Sequence, residues 1–86
     1  MKTKKFYTVA EIASILNNIE LIDISIADVK INFDSELSKK LIAYYEKKRK
    51  EMVWVFDLNV DDLVMANKYR KGDTTINGNK KIYIND

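Results

Sequence analysis

The sequence predicts a small single α+β domain, with three helices packed on a small antiparallel or mixed sheet and a β-hairpin at the C-terminal end. Three features support this class: a lysine-rich amphipathic helix over 35–52, an apolar run over 53–58 and an Asn-Gly pair near the C-terminus. The chain has 86 residues and is 47% hydrophobic, which is typical of one globular domain. We therefore expect residues 1–86 to form a single domain, with residues 1–5 frayed.

The first predicted helix covers about residues 9–17. Thr8 and Glu11 have the spacing of a capping box, in which each side chain accepts from the other residue's backbone amide. Three apolar residues then follow at helical spacings of four and three: Ile12, Leu16 and Ile19. This periodicity predicts a helix with one buried face.

Residues 20–34 allow two interpretations. Isoleucines alternate with polar residues over 22–26, and a second alternating run over 29–33 is out of phase with the first. Alternation of β-branched residues favours a strand, and the phase slip at Ala27-Asp28 indicates a bulge or a turn. The competing interpretation is a helix that begins at Ser25, with Asp28 at the capping-box position. We expect strand.

The central helix is predicted over Ser35 to Met52, with the Ser35 hydroxyl as its N-cap. At about 100° per residue, one face of this helix is apolar and the opposite face is basic. The apolar face comprises Leu37, Leu41, Tyr44, Tyr45 and Met52, and the basic face comprises Lys39, Lys40, Lys47 and Lys50. We expect the apolar face to pack on the sheet.

Residues 53–58 are almost wholly apolar and rich in valine and aromatic residues, which predicts a strand buried on both faces. Asn59 then caps a third helix, and Gly72 ends that helix. Asn77-Gly78 is the preferred pair for a type I′ turn, so residues 74–84 are predicted to form a hairpin.

The composition indicates a non-enzymatic protein without cofactor or metal. Histidine and cysteine are both absent, which removes the usual general base and the most reactive nucleophile. The run 57–61 matches the opening of a calcium loop, but Asp62 replaces the required glycine and Lys68 replaces the bidentate glutamate. We therefore interpret this run as a helix cap. No apolar run is long enough to cross a bilayer, so we expect no membrane contact and a cytoplasmic location.

The basic residues predict a nucleic-acid-binding surface that contacts the phosphate backbone. Only Arg49 and Arg70 are arginines, and lysine suits phosphate better than base edges. The candidate residues lie on the central helix, at the end of the third helix and in the predicted hairpin: Lys39, Lys40, Lys47, Lys48, Arg49, Lys50, Lys68, Arg70, Lys71, Lys80 and Lys81. The alternative is that these lysines form a solvated helix face paired with glutamates.

A protein-interaction module, such as a phage- or plasmid-type inhibitor or antitoxin, is the second functional hypothesis. Adjacent Tyr44 and Tyr45 cannot both point inward, so one of them is a candidate interface anchor. The hairpin edge could also accept a strand from a partner. The candidate interface residues are Tyr44, Tyr45, Thr75, Ile76 and Tyr83.

Two segments resemble the excisionase and MerR-type winged-helix DNA-binding domains. Residues 7–16, YTVAEIASIL, are similar to the opening helix of that family. Residues 53–56, VWVF, with the following Asp62-Leu63, are similar to its second wing strand and the helix after it. The resemblance implies a small regulatory DNA-binding protein of a mobile element, and it requires residues 25–33 to be helical.

Overall fold

The computed structural model describes residues 5–32 and 35–84. It contains three helices and a two-stranded antiparallel sheet, so the predicted α+β class is confirmed. The elements in chain order are β1 (Phe6–Thr8), α1 (Val9–Asn32), α2 (Glu36–Lys50), a 3-10 helix (Val53–Asp57), α3 (Val60–Arg70) and β2 (Lys81–Tyr83). The predicted fraying of residues 1–5 falls almost wholly outside the described residues.

The helix α1 is continuous from Val9 to Asn32, so the strand predicted within residues 20–34 is wrong. The Thr8–Glu11 capping box forms as predicted: the Glu11 amide donates to the Thr8 hydroxyl over 3.2 Å, and the Thr8 amide donates to the Glu11 carboxylate over 3.0 Å. Once a helix is nucleated, each added residue gains a hydrogen bond, while isoleucine gives up only a few tenths of a kcal/mol of helix propensity. Residues 33 and 34 of the predicted strand lie outside the described residues.

A second periodicity in the same residues explains why α1 continues. Apolar residues recur along it at alternating spacings of four and three, which is the pattern of one helix face. These residues are buried or half-buried: Ile15, Ile19, Ile22, Ile26 and Val29. We call them the inner row. The side-chain alternation that imitates a strand comes from Ile24 and Ile31, which lie off this row and are exposed.

Residues 53–57 form a 3-10 helix, so the buried strand predicted over 53–58 is also wrong. Successive short-range backbone bonds, from Met52 to Arg49, from Val55 to Met52 and from Leu58 to Val55, turn the chain from α2 into α3. Only Val55 is fully buried within this segment. A short apolar run does not distinguish a strand from a helical corner, and here the short connection between two helices decides the outcome.

The C-terminal hairpin does not form in the part of the chain that the structure describes. The strand β2 pairs instead with β1, with Tyr7 opposite Ile82. Residues 74–80 form turns, and Asn77 and Gly78 do not have the positive φ angles that a type I′ turn needs. The Gly78 carbonyl accepts from the Ala10 amide over 2.9 Å, which ties this loop to the start of α1.

The first helix was predicted to end near residue 17 and the central helix at Met52, whereas α1 runs to Asn32 and α2 ends at Lys50. The predicted caps of α2 and α3 are confirmed. Ser35 caps α2 in a capping box with Ser38. Asn59 caps α3, with its side chain accepting from the Asp61 amide over 2.8 Å. After α3, Gly72 has a φ of +98°, and the Asp73 amide bonds to the Lys68 carbonyl over 3.0 Å. This is a Schellman ending, which requires the left-handed conformation that glycine adopts readily.

The hydrophobic core surrounds the first half of α1. Its buried members are Val9, Ile12, Ile19, Val55, Ala66 and Ile82. Tyr7 closes one side by a tilted ring contact with Trp54, with centroids 4.8 Å apart and an interplanar angle of 41°. The second half of α1 and the antiparallel α2 extend beyond this core, which fits the elongated dimensions of 44 × 29 × 17 Å.

Candidate functional site

An open apolar groove lies between the middle of α1 and the C-terminal half of α2. Its volume is about 470 Å³. The lining residues come from both helices and the turn that follows α2: Asn18, Leu21, Ile22, Ser25, Tyr44, Tyr45, Lys48, Glu51 and Met52. We call this feature the α1–α2 groove. It has an apolar centre with polar residues at its margin, which is the usual composition of a protein-binding surface.

Tyr44 is the most prominent aromatic residue of the groove. It is 56% exposed, and its ring meets the half-buried Tyr45 in a T-shaped contact with centroids 5.8 Å apart. The Lys48 ammonium lies over the Tyr44 ring, 5.6 Å from its centroid. Opposite these residues on α1, Leu21 is 61% exposed. The sequence argument that only one tyrosine can point inward is confirmed, and the outward one is Tyr44.

Lysines surround Tyr44 on the surface of α2. Lys40 precedes it by one helical turn, and Lys47 and Lys48 follow it by one turn. All three lysines are exposed. An exposed aromatic ring bordered by cations can bury an apolar group of a partner while attracting acidic residues beside it.

Both arginines of the predicted nucleic-acid surface are instead bonded to α1. The Arg49 Nε donates to the Asp23 carboxylate over 2.8 Å. The Arg70 guanidinium donates to Glu20 over 2.7 Å and to Asn17 over 3.0 Å. These two residues therefore tie helices together and contribute little net charge to a binding surface.

The lysines of α2 lie on its outer face as predicted. Lys39, Lys40, Lys47 and Lys50 are all exposed. Lys39 makes a loose surface pair with Glu36 at 3.4 Å, which adds little stability and leaves its charge accessible.

The second basic group lies on other elements. Lys68 and Lys71 are exposed around the end of α3, and Lys80 is exposed before β2. Lys81 lies over the Phe6 ring, 4.7 Å from its centroid. The two groups lie on different packing units, because α2 packs mainly on α1 and the 3-10 helix, whereas β2 pairs with β1.

The remaining candidate interface residues are dispersed. Thr75 lies in a turn, where its amide donates to the Asp73 carboxylate. Ile76 packs against the core, and Tyr83 is exposed on β2 beside Phe6. Thr75 and Ile76 are therefore not placed on a strand edge.

Sequence reasoning missed the contribution of α1 to the groove. Leu21 falls within residues 20–34, for which the sequence predicts a strand and no functional role. The signal was present in the composition of residues 21–31, which contain more large apolar side chains than one helix face can bury. When this segment is treated as a helix, Leu21, Ile24 and Ile31 fall outside the inner row.

The segments that resemble excisionase and MerR-type domains are arranged as follows. The helix α1 continues past Leu16 without interruption, and residues 25–32 are helical as its continuation. Residues 53–56 belong to the 3-10 helix rather than to a strand. The family assignment itself remains a prediction.

Within residues 5–32 and 35–84, no cluster of three or more acidic, histidine or cysteine side chains has the geometry to hold a metal ion. None of the described helices combines the length and the hydrophobicity needed to span a membrane. No family model, curated protein or solved structure matches this chain.

Proposed function

We propose that this chain is a non-enzymatic binding protein that holds a protein partner in the α1–α2 groove. The observation that carries the proposal is the exposure of Tyr44 and Leu21 on opposite walls of one apolar groove. Tyrosine is among the residues most enriched at energetic hot spots, because it buries a large area at a small cost in side-chain entropy. A small regulatory or inhibitory protein acts by this kind of contact. The absence of cysteine is consistent with a cytoplasmic location.

The chemistry of the groove defines the partner. Its apolar centre accommodates one or two large apolar side chains, and Lys40, Lys47 and Lys48 border Tyr44 with positive charge. The partner is therefore a protein segment with an apolar or aromatic anchor flanked by aspartate or glutamate. Charge attraction of this type speeds association and weakens as salt screens it.

The test compares capture and affinity for the native chain and single variants. The native chain, Tyr44→Ala and Tyr83→Ala are immobilised in parallel, and proteins that bind from a cell lysate are identified and purified. Calorimetry with the purified partner then measures each dissociation constant. We expect Tyr44→Ala to weaken binding by at least about tenfold. Tyr83→Ala removes another exposed tyrosine, which lies outside the groove, and leaves the affinity unchanged.

Two results contradict the proposal. One is a purified partner that binds Tyr44→Ala and the native chain equally well. The other is tight binding of nucleic acid by this protein, together with the absence of any protein partner whose affinity depends on Tyr44.

Nucleic-acid binding is the second candidate function, and the exposed lysine row of α2 favours it. Lys40, Lys47 and Lys50 project from the outer face of α2, where they could neutralise successive phosphates. The resemblance to mobile-element DNA-binding domains points the same way. In this case binding depends steeply on salt and weakly on base sequence.

Fluorescence anisotropy with labelled duplex and single-stranded DNA, at low and moderate salt, separates the two functions. Charge reversal of Lys40, Lys47 and Lys50 abolishes duplex binding if phosphate contact is the function. Tyr44→Ala is the matched comparison, because it leaves those charges in place and removes only the groove anchor. Loss of partner binding in Tyr44→Ala with no change in DNA affinity supports the protein-binding function.

A further inference from the structure

The strand β2 has one edge that no other strand covers. The Ile84 amide donates to the Lys5 carbonyl over 2.9 Å, so Tyr83 and its partner Phe6 form a non-hydrogen-bonded pair of the antiparallel ladder. The amide and carbonyl of Tyr83 therefore point away from β1, and those of Lys81, two residues earlier, point the same way. Within residues 5–32 and 35–84, these backbone groups make no hydrogen bond on that side. We call this side of the strand the β2 edge.

A pocket opens beside the end of β2. Its volume is about 290 Å³, and it lies between β2 and the corner that joins the 3-10 helix to α3. Trp54 and Leu58 line it from the corner, and Tyr83 and Ile84 line it from the end of β2. The residue that pairs with Ile84, Lys5, does not line the pocket, so the pocket lies on the side of Ile84 that faces away from β1. We call it the Trp54 pocket.

The Trp54 pocket also contains two carboxylates, Asp57 and Asp62. In the part of the chain that the structure describes, neither carboxylate forms an ion pair or a hydrogen bond. Asp62 lies in the first turn of α3, and a helix N-terminus carries only about half a positive charge, so the two carboxylates leave the pocket negative. Unpaired carboxylates beside an indole ring attract an organic cation, through charge and through the face of the ring.

We propose that an extended segment of a partner protein adds to the β2 edge as a third strand and places an arginine side chain in the Trp54 pocket. The free backbone groups of Lys81 and Tyr83 pair with alternate residues of the added strand. Residues opposite each other in a ladder project to the same face, so the partner residue opposite Ile84 shares the side of the sheet on which Ile84 lines the pocket. Arginine fits better than lysine, because a guanidinium stacks on an aromatic ring while it donates to carboxylates.

This interaction goes beyond the partner binding proposed for the α1–α2 groove. No residue lines both the groove and the Trp54 pocket. The lysines around Tyr44 attract an acidic segment, whereas Asp57 and Asp62 attract a basic one. Tyr44→Ala therefore affects binding at the groove alone, and loss of the two pocket carboxylates affects binding at β2 alone. The two proposals can succeed or fail separately.

Titration of the full chain with short blocked peptides tests the charge of the ligand. The peptides are rich in valine and threonine and carry a central arginine, lysine or citrulline, the last of which resembles arginine in shape but is neutral. Trp54 is the single tryptophan and lines the pocket, so its fluorescence reports binding at this site. We expect the arginine peptide to bind at least about tenfold more tightly than the citrulline peptide. Equal affinity of these two peptides, or tighter binding of the lysine peptide, overturns the choice of arginine.

Asp57→Asn/Asp62→Asn tests the pocket, because it removes both charges and keeps the size of the side chains. We expect it to weaken binding of the arginine peptide by at least about tenfold and to leave the affinity for the citrulline peptide unchanged. Asp61→Asn is the matched control, since Asp61 lies in the same turn of α3 but does not line the pocket. Circular dichroism verifies that each variant is folded. Equal losses in Asp61→Asn and in the double variant overturn the assignment to the Trp54 pocket.

Amide hydrogen exchange tests the third strand. In the free chain, the amides of Lys81 and Tyr83 point to solvent, whereas Ile82 is paired with Tyr7. Saturation with the arginine peptide should slow exchange of the Lys81 and Tyr83 amides by at least about tenfold, and by a larger factor than exchange of the Ile82 amide. Binding of the arginine peptide without this protection overturns strand addition.

Discussion

The Arg70 guanidinium donates to the Glu20 carboxylate over 2.7 Å, which joins the last residue of α3 to the middle of α1. The same guanidinium donates to Asn17, and the Arg70 Nε donates to Asn67 within α3. The Arg70 side chain is only 17% exposed, whereas Glu20 is 55% exposed. Arg70 is therefore a half-buried fork that joins two helices, and the acidic residue is only one of its partners.

We expect Arg70→Ala to lower the free energy of unfolding by about 1–3 kcal/mol, because three hydrogen bonds and the packing of a long side chain are lost. Arg70→Lys should lower the free energy of unfolding by less than Arg70→Ala but not restore the native value, since an ammonium group cannot reproduce the planar fork of the guanidinium. Urea denaturation monitored by the single tryptophan, Trp54, measures both values.

The double-mutant cycle with Glu20→Gln isolates the ion pair from the other contacts of Arg70. We expect a coupling energy below about 1 kcal/mol, because Glu20 is more than half exposed and water screens the pair. A coupling as large as the whole Arg70→Ala effect would mean that the ion pair, rather than the fork, fixes the end of α3.

The helix caps could be predicted from sequence because their signals are local. A Thr8 hydroxyl three residues from a Glu11 carboxylate, or an Asn59 side chain before a helical run, has its partner within one turn. Such contacts depend on backbone geometry alone, and they form as predicted. The Gly72 ending belongs to the same class.

Segments whose state depends on distant packing could not be predicted. Residues 20–32 satisfy both a strand pattern and a helix pattern, and the choice depends on α2 covering the inner row. Residues 53–57 and 81–83 show the same limitation. Residues 53–57 have no neighbouring strand with which to pair. The strand β2 pairs with β1, which lies more than seventy residues earlier in the chain.

The candidate site was predicted in part for the same reason. Helical periodicity was enough to place the lysines of α2 outward and to expose one of two adjacent tyrosines. It could not show that Arg49 reaches Asp23 on another helix, nor that Leu21 faces Tyr44 across a groove. Both are contacts between elements whose arrangement the sequence does not specify locally.

Gly78→Ala should destabilise the fold by about 1–3 kcal/mol through overpacking. A Cβ at this position would lie 2.6 Å from the Tyr69 hydroxyl and 2.7 Å from its ring carbons. The loop cannot retreat easily, because the Gly78 carbonyl accepts from the Ala10 amide. Thermal denaturation measures the loss of stability caused by Gly78→Ala in the native chain and in the Tyr69→Leu variant. This loss should be smaller in the Tyr69→Leu variant.

Gly72→Ala is the matched control for this prediction. Its Cβ would meet no atom within 4 Å, so the penalty of about 1 kcal/mol arises from the positive φ angle alone. Tyr69→Leu should leave that penalty unchanged. If Tyr69→Leu reduced the loss of stability of both glycine substitutions, this would argue against a specific clash between Gly78→Ala and Tyr69.

The Asp73 carboxylate should contribute to stability except in acid. The Thr75 hydroxyl and amide donate to it over 2.6 and 2.9 Å and hold its pKa below the ordinary value of 3.8, with a smaller contribution from Lys68. Because the folded-state pKa is lowered, the native state binds the proton less readily than the unfolded state. The stabilisation is complete above about pH 4 and is lost as the pH falls through the lowered pKa.

Carboxyl NMR titration measures this pKa directly. We expect Thr75→Val to raise the pKa of Asp73 towards 3.8, because the side-chain hydrogen bond is its largest cause. Thr74→Val changes the adjacent exposed residue and should leave the pKa of Asp73 unchanged from the native chain. An Asp73 pKa at or above 3.8 in the native chain would show that the Thr75 bonds do not persist in solution.

Amide hydrogen exchange should divide α1 into two parts of different stability. Amides from residue 13 to residue 19 lie in the core-packed half and should exchange only on near-global unfolding. Amides of residues 24–32 lie where α2 alone covers the helix, so in dilute solution they should exchange at least about tenfold faster. Uniform protection along α1 would contradict the division, because it would require the two halves to open as one unit.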